Sequence, residues 1–121
     1  MPRRQNQRPK ADRLFSQLIR EAGRCRRCGS TDHLQCAHIL SRSYSATRTD
    51  ERNAVCLCRS CHMFFTHRPL EWDLWARQTI GSSVVDALRT LALTHVAPDW
   101  KAEVARLEHL SLIGLPTTKR P

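Results

Sequence analysis

Four cysteines in two C-x2-C pairs, Cys25/Cys28 and Cys58/Cys61, restrict this chain more than any other feature. Each pair lets a tight turn present two sulfurs to one point, and two pairs complete a tetrahedral set. Zinc suits four soft thiolates best, because it accepts them without redox chemistry. Such a staple brings the turn at residue 25 beside the one at residue 61 and forces the intervening segment to fold between them. Cys56 leaves an alternative open: it lies two residues before Cys58 on the same strand face and could take its place. Cys58 is preferred because it alone makes a C-x2-C turn with Cys61. Cys36 reads as a small buried residue. Six cysteines could instead mean disulfides in a secreted mini-protein. The basic N-terminus MPRRQNQRPK, however, has no apolar stretch of the kind a secretion signal needs. A cytoplasmic protein is expected.

Charge divides the chain in two. The net charge is +9 over 121 residues. Residues 1–69 carry 14 Arg/Lys and 5 Asp/Glu, whereas residues 70–121 carry 6 of each. The whole excess therefore sits with the cysteines, and a basic segment of this kind attracts polyanions and releases counterions on binding phosphates. No apolar run approaches the roughly 18 residues of a membrane span, so no membrane partner is expected.

The pattern along the chain predicts an α+β fold in three parts. Residues 1–10 read as a flexible basic arm. Residues 11–69 read as the zinc-stapled core, opening with an amphipathic helix, ADRLFSQLIREA, that carries Leu14, Phe15, Leu18, Ile19 and Ala22 and stops at Gly23. Strand LQCAHIL (34–40), a polar loop (41–52), strand NAVCLC (53–58) and a short helix (59–67) follow. Residues 70–121 read as a helical extension packed on the core. Leu70, Trp72, Leu74 and Trp75 are expected to form a buried face, Ser82 or Ser83 to cap the next helix, and a last helix to follow Pro98.

The ordered set C-x2-C, Ala37-His38-Ile39, Asn53-x4-Cys58-x2-Cys61-His62 and a following His67 resembles the HNH endonuclease family, over roughly residues 25–67. The resemblance implies a small ββα-metal fold and metal-dependent hydrolysis of DNA phosphodiesters, leaving 5′-phosphate and 3′-hydroxyl ends. It implies that His38 is the general base, that Asn53 fixes the loop and the base, and that His62 is a ligand of the catalytic ion. His67, about one helical turn on, is expected as a second ligand on the same face. Two kinds of cofactor follow: a structural Zn²⁺ on Cys25, Cys28, Cys58 and Cys61, and a catalytic divalent cation (Mg²⁺, Mn²⁺, Ni²⁺ or Zn²⁺). One position departs from the family: the residue before the base is commonly an Asp or His ligand, and here it is Ala37. That keeps a non-catalytic, zinc-stapled nucleic-acid-binding module as the alternative, with a zinc-stapled protein adaptor behind it. It also gives an expectation that Ala37→His would tighten Mg²⁺ or Mn²⁺ binding.

DNA is the expected partner. Arg42, Arg48 and Arg52 in the loop, with Arg59 beside the second cysteine turn, are the expected phosphate contacts; such contacts position DNA without reading sequence. Small proteins resembling this family often occur in phages and mobile elements. A phage or bacterial setting, with a packaging or recombination protein as partner, is the corresponding expectation. His33, His95 and His109 lie outside the pattern and are expected to be exposed.

Overall fold

The structure, a computed structural model, describes residues 6–115. It contains one antiparallel hairpin sheet, β1 (Leu34–His38) and β2 (Ala54–Cys58), and five helices: α1 (Arg8–Arg20), α2 (Arg59–Thr66), α3 (Pro69–Ile80), α4 (Ser82–Ala92) and α5 (Trp100–Ile113). Register pairs Leu34 with Cys58, Cys36 with Cys56 and His38 with Ala54. Because side chains alternate along a strand, the hairpin has two distinct faces, and each is covered by helices. Ala37, Val55 and Leu57 pack with Phe65 of α2, Ala76 of α3 and Val85 of α4. Ala54 and Cys56 pack with Phe15, Leu18 and Ile19 of α1 and with Val104 and Leu107 of α5. A two-stranded hairpin is marginal in water by itself; these two helical layers supply the burial that it lacks.

The helix boundaries show which local rules prevailed. α1 begins at Arg8 with Pro9 in its first turn, where a missing N–H costs nothing, so the helix reaches into the stretch read as a flexible arm. Residues 1–5 of that arm lie outside the described residues. Between the strands, the 41–52 loop carries two short 3-10 turns, Ser45–Thr47 and Glu51–Asn53. In α3 the expected buried face is only half present: Leu70 is 82% exposed and Leu74 57%. Ala76 is buried and Trp72 and Trp75 pack half-buried around Phe65, with ring centroids 5.0 and 5.2 Å from its own. Positions 72, 75 and 76 form one helical stripe, and Leu70 and Leu74 fall outside it. Neither Ser82 nor Ser83 caps α4. Gly81 is the single joint between α3 and α4, at φ +98°, a conformation that favours glycine. α5 follows Pro98 as expected, with the Asp99 side chain accepting from the Lys101 and Ala102 amides at 3.1 and 3.3 Å, a standard N-cap. Among the described residues, no helix is long and apolar enough to cross a membrane.

Candidate metal centre and active site

The sulfurs of Cys25, Cys28, Cys58 and Cys61 all lie within 4.8 Å of one another, and Cys28 Sγ is 3.6 Å from Cys58 Sγ. Four thiolates at about 2.3 Å from a tetrahedral zinc stand about 3.8 Å apart, so the donor set and its spacing fit a structural zinc ion. The two turns are alike: the Cys28 amide donates to Cys25 Sγ and the Cys61 amide to Cys58 Sγ, both at 3.5 Å. Arg27 adds a side-chain donor to Cys61 Sγ, also at 3.5 Å. Burial pushes the Cys25 thiol up, but hydrogen bonds from backbone amides outweigh it and bring it down to about 6. Burial holds Cys61 up at about 12. The cluster thus holds a thiolate ready at neutral pH, and metal capture must release the remaining protons. Cys56 packs in the other core, against α1 and α5, which leaves Cys58 in the sulfur cluster.

His38 and His62 line one cleft of about 490 Å³ together with Asp12, Phe15 and Ser16 of α1, Gln35 and Cys36 of β1, and Arg42 of the loop. Two hydrogen bonds assign the free nitrogen of each ring. His38 Nε2 lies 2.9 Å from the Arg48 carbonyl oxygen. A carbonyl can only accept, so Nε2 carries the proton and Nδ1 keeps its lone pair. His62 Nδ1 lies 2.7 Å from Gln35 Oε1, which by the same argument leaves Nε2 of His62 as the unprotonated nitrogen. Burial holds both imidazoles below the ordinary histidine range. At His38 the Arg48 carbonyl opposes burial, while the Arg42 and Arg48 charges reinforce it. Both rings are therefore neutral at pH 7, the form a proton acceptor or a metal ligand requires.

Asn53 is fully buried at the end of the second 3-10 turn, immediately before β2. Its Oδ1 accepts from the Leu40 amide at 2.8 Å, and its Nδ2 donates to the Leu40 and Thr47 carbonyls at 3.2 and 3.0 Å. One amide side chain thus ties both ends of the 40–47 segment to the sheet. Only a group with both donor and acceptor ends can do this, so Asn53→Asp, which loses the donors, is expected to loosen the loop.

Gln35 and Asp12 went unnoticed in the sequence. Gln35 has no distinguishing motif; it reaches His62 because it shares with Ala37 the face of β1 that α2 covers. Asp12 lies outside the cysteine segment altogether, and its place in the cleft arises only from the packing of α1 on the hairpin.

Several expected site residues sit differently from the sequence reading. His67 is exposed at the C-terminal cap of α2 and does not line the cleft. Five residues at about 100° each place it some 140° around the helix from His62; the position on His62's face is Thr66, whose hydroxyl donates to the His62 carbonyl at 2.8 Å. Among the described residues, the four cysteines are the only group of three or more His, Cys, Asp or Glu able to share an ion. Arg48 is engaged by Asp12 through two 2.8 Å hydrogen bonds, and Arg52 by Asp50. Arg42 and Arg59 are exposed, and neither guanidinium is ion-paired among the described residues. His33, His95 and His109 are exposed, and His95 stacks on Tyr44 with centroids 6.1 Å apart.

Ala37 faces the core at 1% exposure, among Val55, Leu57 and Phe65. This overturns the expectation that a histidine there would tighten ion binding, because an imidazole would be driven into packed side chains. Ala37→His is expected to destabilise the protein by about 1–3 kcal/mol through overpacking, with no gain in Mg²⁺ affinity. Denaturant melts and calorimetry of the two proteins check both parts.

A strand hairpin followed by a helix, clamped by four thiols at its base, is the ββα arrangement. Residues 25–69 match the family model described as HNH endonuclease. This segment holds both cysteine turns, the hairpin, its loop and α2, and it implies a nuclease-type function on nucleic acid. No curated protein and no solved structure gives a match.

Proposed function

We propose that this protein is a metal-dependent DNA endonuclease in which His38 is the general base and His62 anchors the catalytic cation. The observation that supports this best is the complementary pair of rings in one cleft. His38 keeps a lone pair on Nδ1, and His62 keeps one on Nε2. Gln35 stands behind His62 as the second partner that ligating histidines commonly have. Asn53 and the Arg48 carbonyl fix the base from the loop side, so its proton-accepting nitrogen is set before substrate arrives. A divalent cation bound here would polarise the phosphate and offset charge on the leaving oxygen. His62 would supply one imidazole nitrogen, a donor that suits Ni²⁺ or Zn²⁺ better than the oxygen-seeking Mg²⁺, with water and the substrate phosphate as the remaining donors. His38 Nδ1 takes the proton of the attacking water.

The pH dependence follows from the burial of His38. A base acts only when deprotonated, and its pKa is lowered from 6.5. Cleavage is expected to rise with pH through a midpoint below 6.5 and to be flat across neutrality. A rising limb centred above pH 7 in the single-turnover rate would remove His38 from the role.

The basic segment is read as the DNA-facing surface, with Arg42 and Arg59 as its available cations. Neutralising one phosphate contributes about −0.9 to the log–log salt slope of binding. Arg42→Ala is therefore expected to make the slope shallower by about 1, and Arg52→Ala, already paired with Asp50, by much less. Filter binding or fluorescence anisotropy at several salt concentrations measures both.

The absence of a group of three ligating side chains at His62 among the described residues favours the second reading, a module that binds nucleic acid without cutting it. Supercoiled plasmid incubated with zinc-loaded protein and Mg²⁺, Mn²⁺, Ni²⁺ or Zn²⁺ separates the two. Cation-dependent nicking with 5′-phosphate ends supports the enzyme. A mobility shift with no nicking under any cation supports the module. A phage packaging or recombination protein as partner, and a cytoplasmic setting, complete the proposal.

A further inference from the structure

Among the described residues, Asp12 is the only acidic side chain lining the cleft. A carboxylate facing a phosphate site repels its substrate unless the charge is offset. Here it is offset by Arg48, whose Nε and Nη2 donate to the two carboxylate oxygens at 2.8 Å each. This planar, bidentate pairing fixes orientation as well as distance. Both partners are largely covered, with side-chain exposures of 15% for Arg48 and 25% for Asp12. Arg48 also donates through Nη1 to the Arg42 carbonyl at 2.9 Å, so its guanidinium spans the loop from α1 to residue 42. The carbonyl of the same Arg48 receives the Nε2 proton of His38. A rigid chain thus runs from α1 to the imidazole: Asp12 carboxylate, Arg48 side chain, Arg48 backbone, His38 Nε2.

We propose that Asp12 is a positioning residue. By clamping Arg48 it holds the carbonyl that locks His38 in the tautomer with Nδ1 free. The proposal rests on the reading of His38 as the base, and it assigns part of the active site to α1, outside the segment that matches the family model. The neighbours facing His38 are the ring of Phe15, with centroids 5.4 Å apart, the charged groups Asp12, Arg42 and Arg48, Cys36 on its own strand, and His62 from α2. Of these, only the Arg48 carbonyl is hydrogen-bonded to the ring among the described residues, so loss of the clamp has a direct route to the tautomer.

The test uses the zinc-loaded full chain and long-range ¹H–¹⁵N spectra, which distinguish Nδ1–H from Nε2–H imidazole. The wild type is expected to show His38 as Nε2–H. Asp12→Asn should show a mixture of the two tautomers and a fall in kcat of about tenfold, with no rise in KM, since it takes a negative charge out of the cleft. Asp12→Glu, which keeps two acceptor oxygens, should recover most of both signals. Arg48→Lys, which cannot pair in two places, should behave like Asp12→Asn and serves if that variant is unstable. A pure Nε2–H signal for His38 in both folded Asp12→Asn and folded Arg48→Lys would overturn the proposal. A wild type that never cleaves would instead refute the nuclease reading, and the tautomer measurement would still decide the clamp.

Discussion

Stripping zinc from the protein is expected to unfold the hairpin and α2 outright. The sulfurs are not appended to a finished core. Cys25, Cys58 and Cys61 are themselves 2–6% exposed and belong to the cluster that includes Leu57 and Phe65. Apparent binding energies for structural zinc are about 10–16 kcal/mol, comparable with or larger than the ~5–15 kcal/mol stability of a whole domain. Without the ion, buried thiols would face one another with nothing to hold the two turns together, and the sheet between the helical layers would lose its base. Cys61→Ser and Cys58→Ser should each abolish stoichiometric zinc and the cooperative melt. Cys56→Ser should keep its zinc, since that sulfur packs against α1 and α5. Zinc release measured with a chromophoric chelator, alongside circular dichroism, reads both effects. An unchanged melting curve after complete removal of the ion would show that the fold stands without its staple.

His38→Ala is expected to lower the single-turnover cleavage rate by roughly 10²–10⁴-fold, the usual contribution of a positioned general base, while zinc content and folding remain intact. The side chain is only half-buried and makes one hydrogen bond, to the Arg48 carbonyl. Its removal costs the fold about 1 kcal/mol. DNA affinity should hardly change, because in the proposed role the ring acts on water rather than on a ground-state phosphate contact. His62→Ala should differ in kind: its deficit should shrink as the divalent cation concentration rises, since in the proposed role it is a ligand and not the base. A His38→Ala protein that cuts at the wild-type rate would contradict the assignment.

Much of the core was legible in the sequence because it depends on short-range spacing. Each C-x2-C pair specifies a turn that gathers its own two sulfurs, and the hairpin register with the Arg26 amide on the Cys56 carbonyl brings the two turns together, so that all four lie within 4.8 Å. LQCAHIL and NAVCLC contain the two strands because a polar, loop-forming stretch separates them and the cysteine turns close their far ends. His38 and His62, which share one cleft, were singled out by motif order alone. Their free nitrogens were not, because these depend on Gln35 and on the Arg48 carbonyl, which reach them only through register and loop shape. His67 shows the limit of counting turns: one extra residue rotates a side chain away from the site. Leu70 and Leu74 show another limit. An apolar residue in a helix marks a buried face only when its stripe coincides with the neighbour's, and in α3 the stripe of Trp72, Trp75 and Ala76 prevailed. Arg48 read as a DNA contact because a sequence cannot show that Asp12, 36 positions earlier, already occupies it.

The C-terminal helices also act on the site in a way that composition concealed. Their charges balance in number, and several of them pair within the protein itself. Arg106 of α5 pairs with Glu51 and Glu103 and donates to the Thr49 carbonyl at 2.9 Å, and the Thr49 hydroxyl donates to Glu103. The loop that carries Arg48 is therefore braced from α5 as well as from α1.

The geometry of the cleft is tested most directly by paramagnetic broadening. Zinc-loaded protein is titrated with Mn²⁺ in the presence of a non-hydrolysable phosphodiester, and the imidazole resonances of all six histidines are followed. The resonances of His62 should broaden first and those of His38 next, with His33, His67, His95 and His109 little affected. Broadening that spares both His38 and His62, or that falls mainly on the exposed rings, would contradict a shared phosphate site between them.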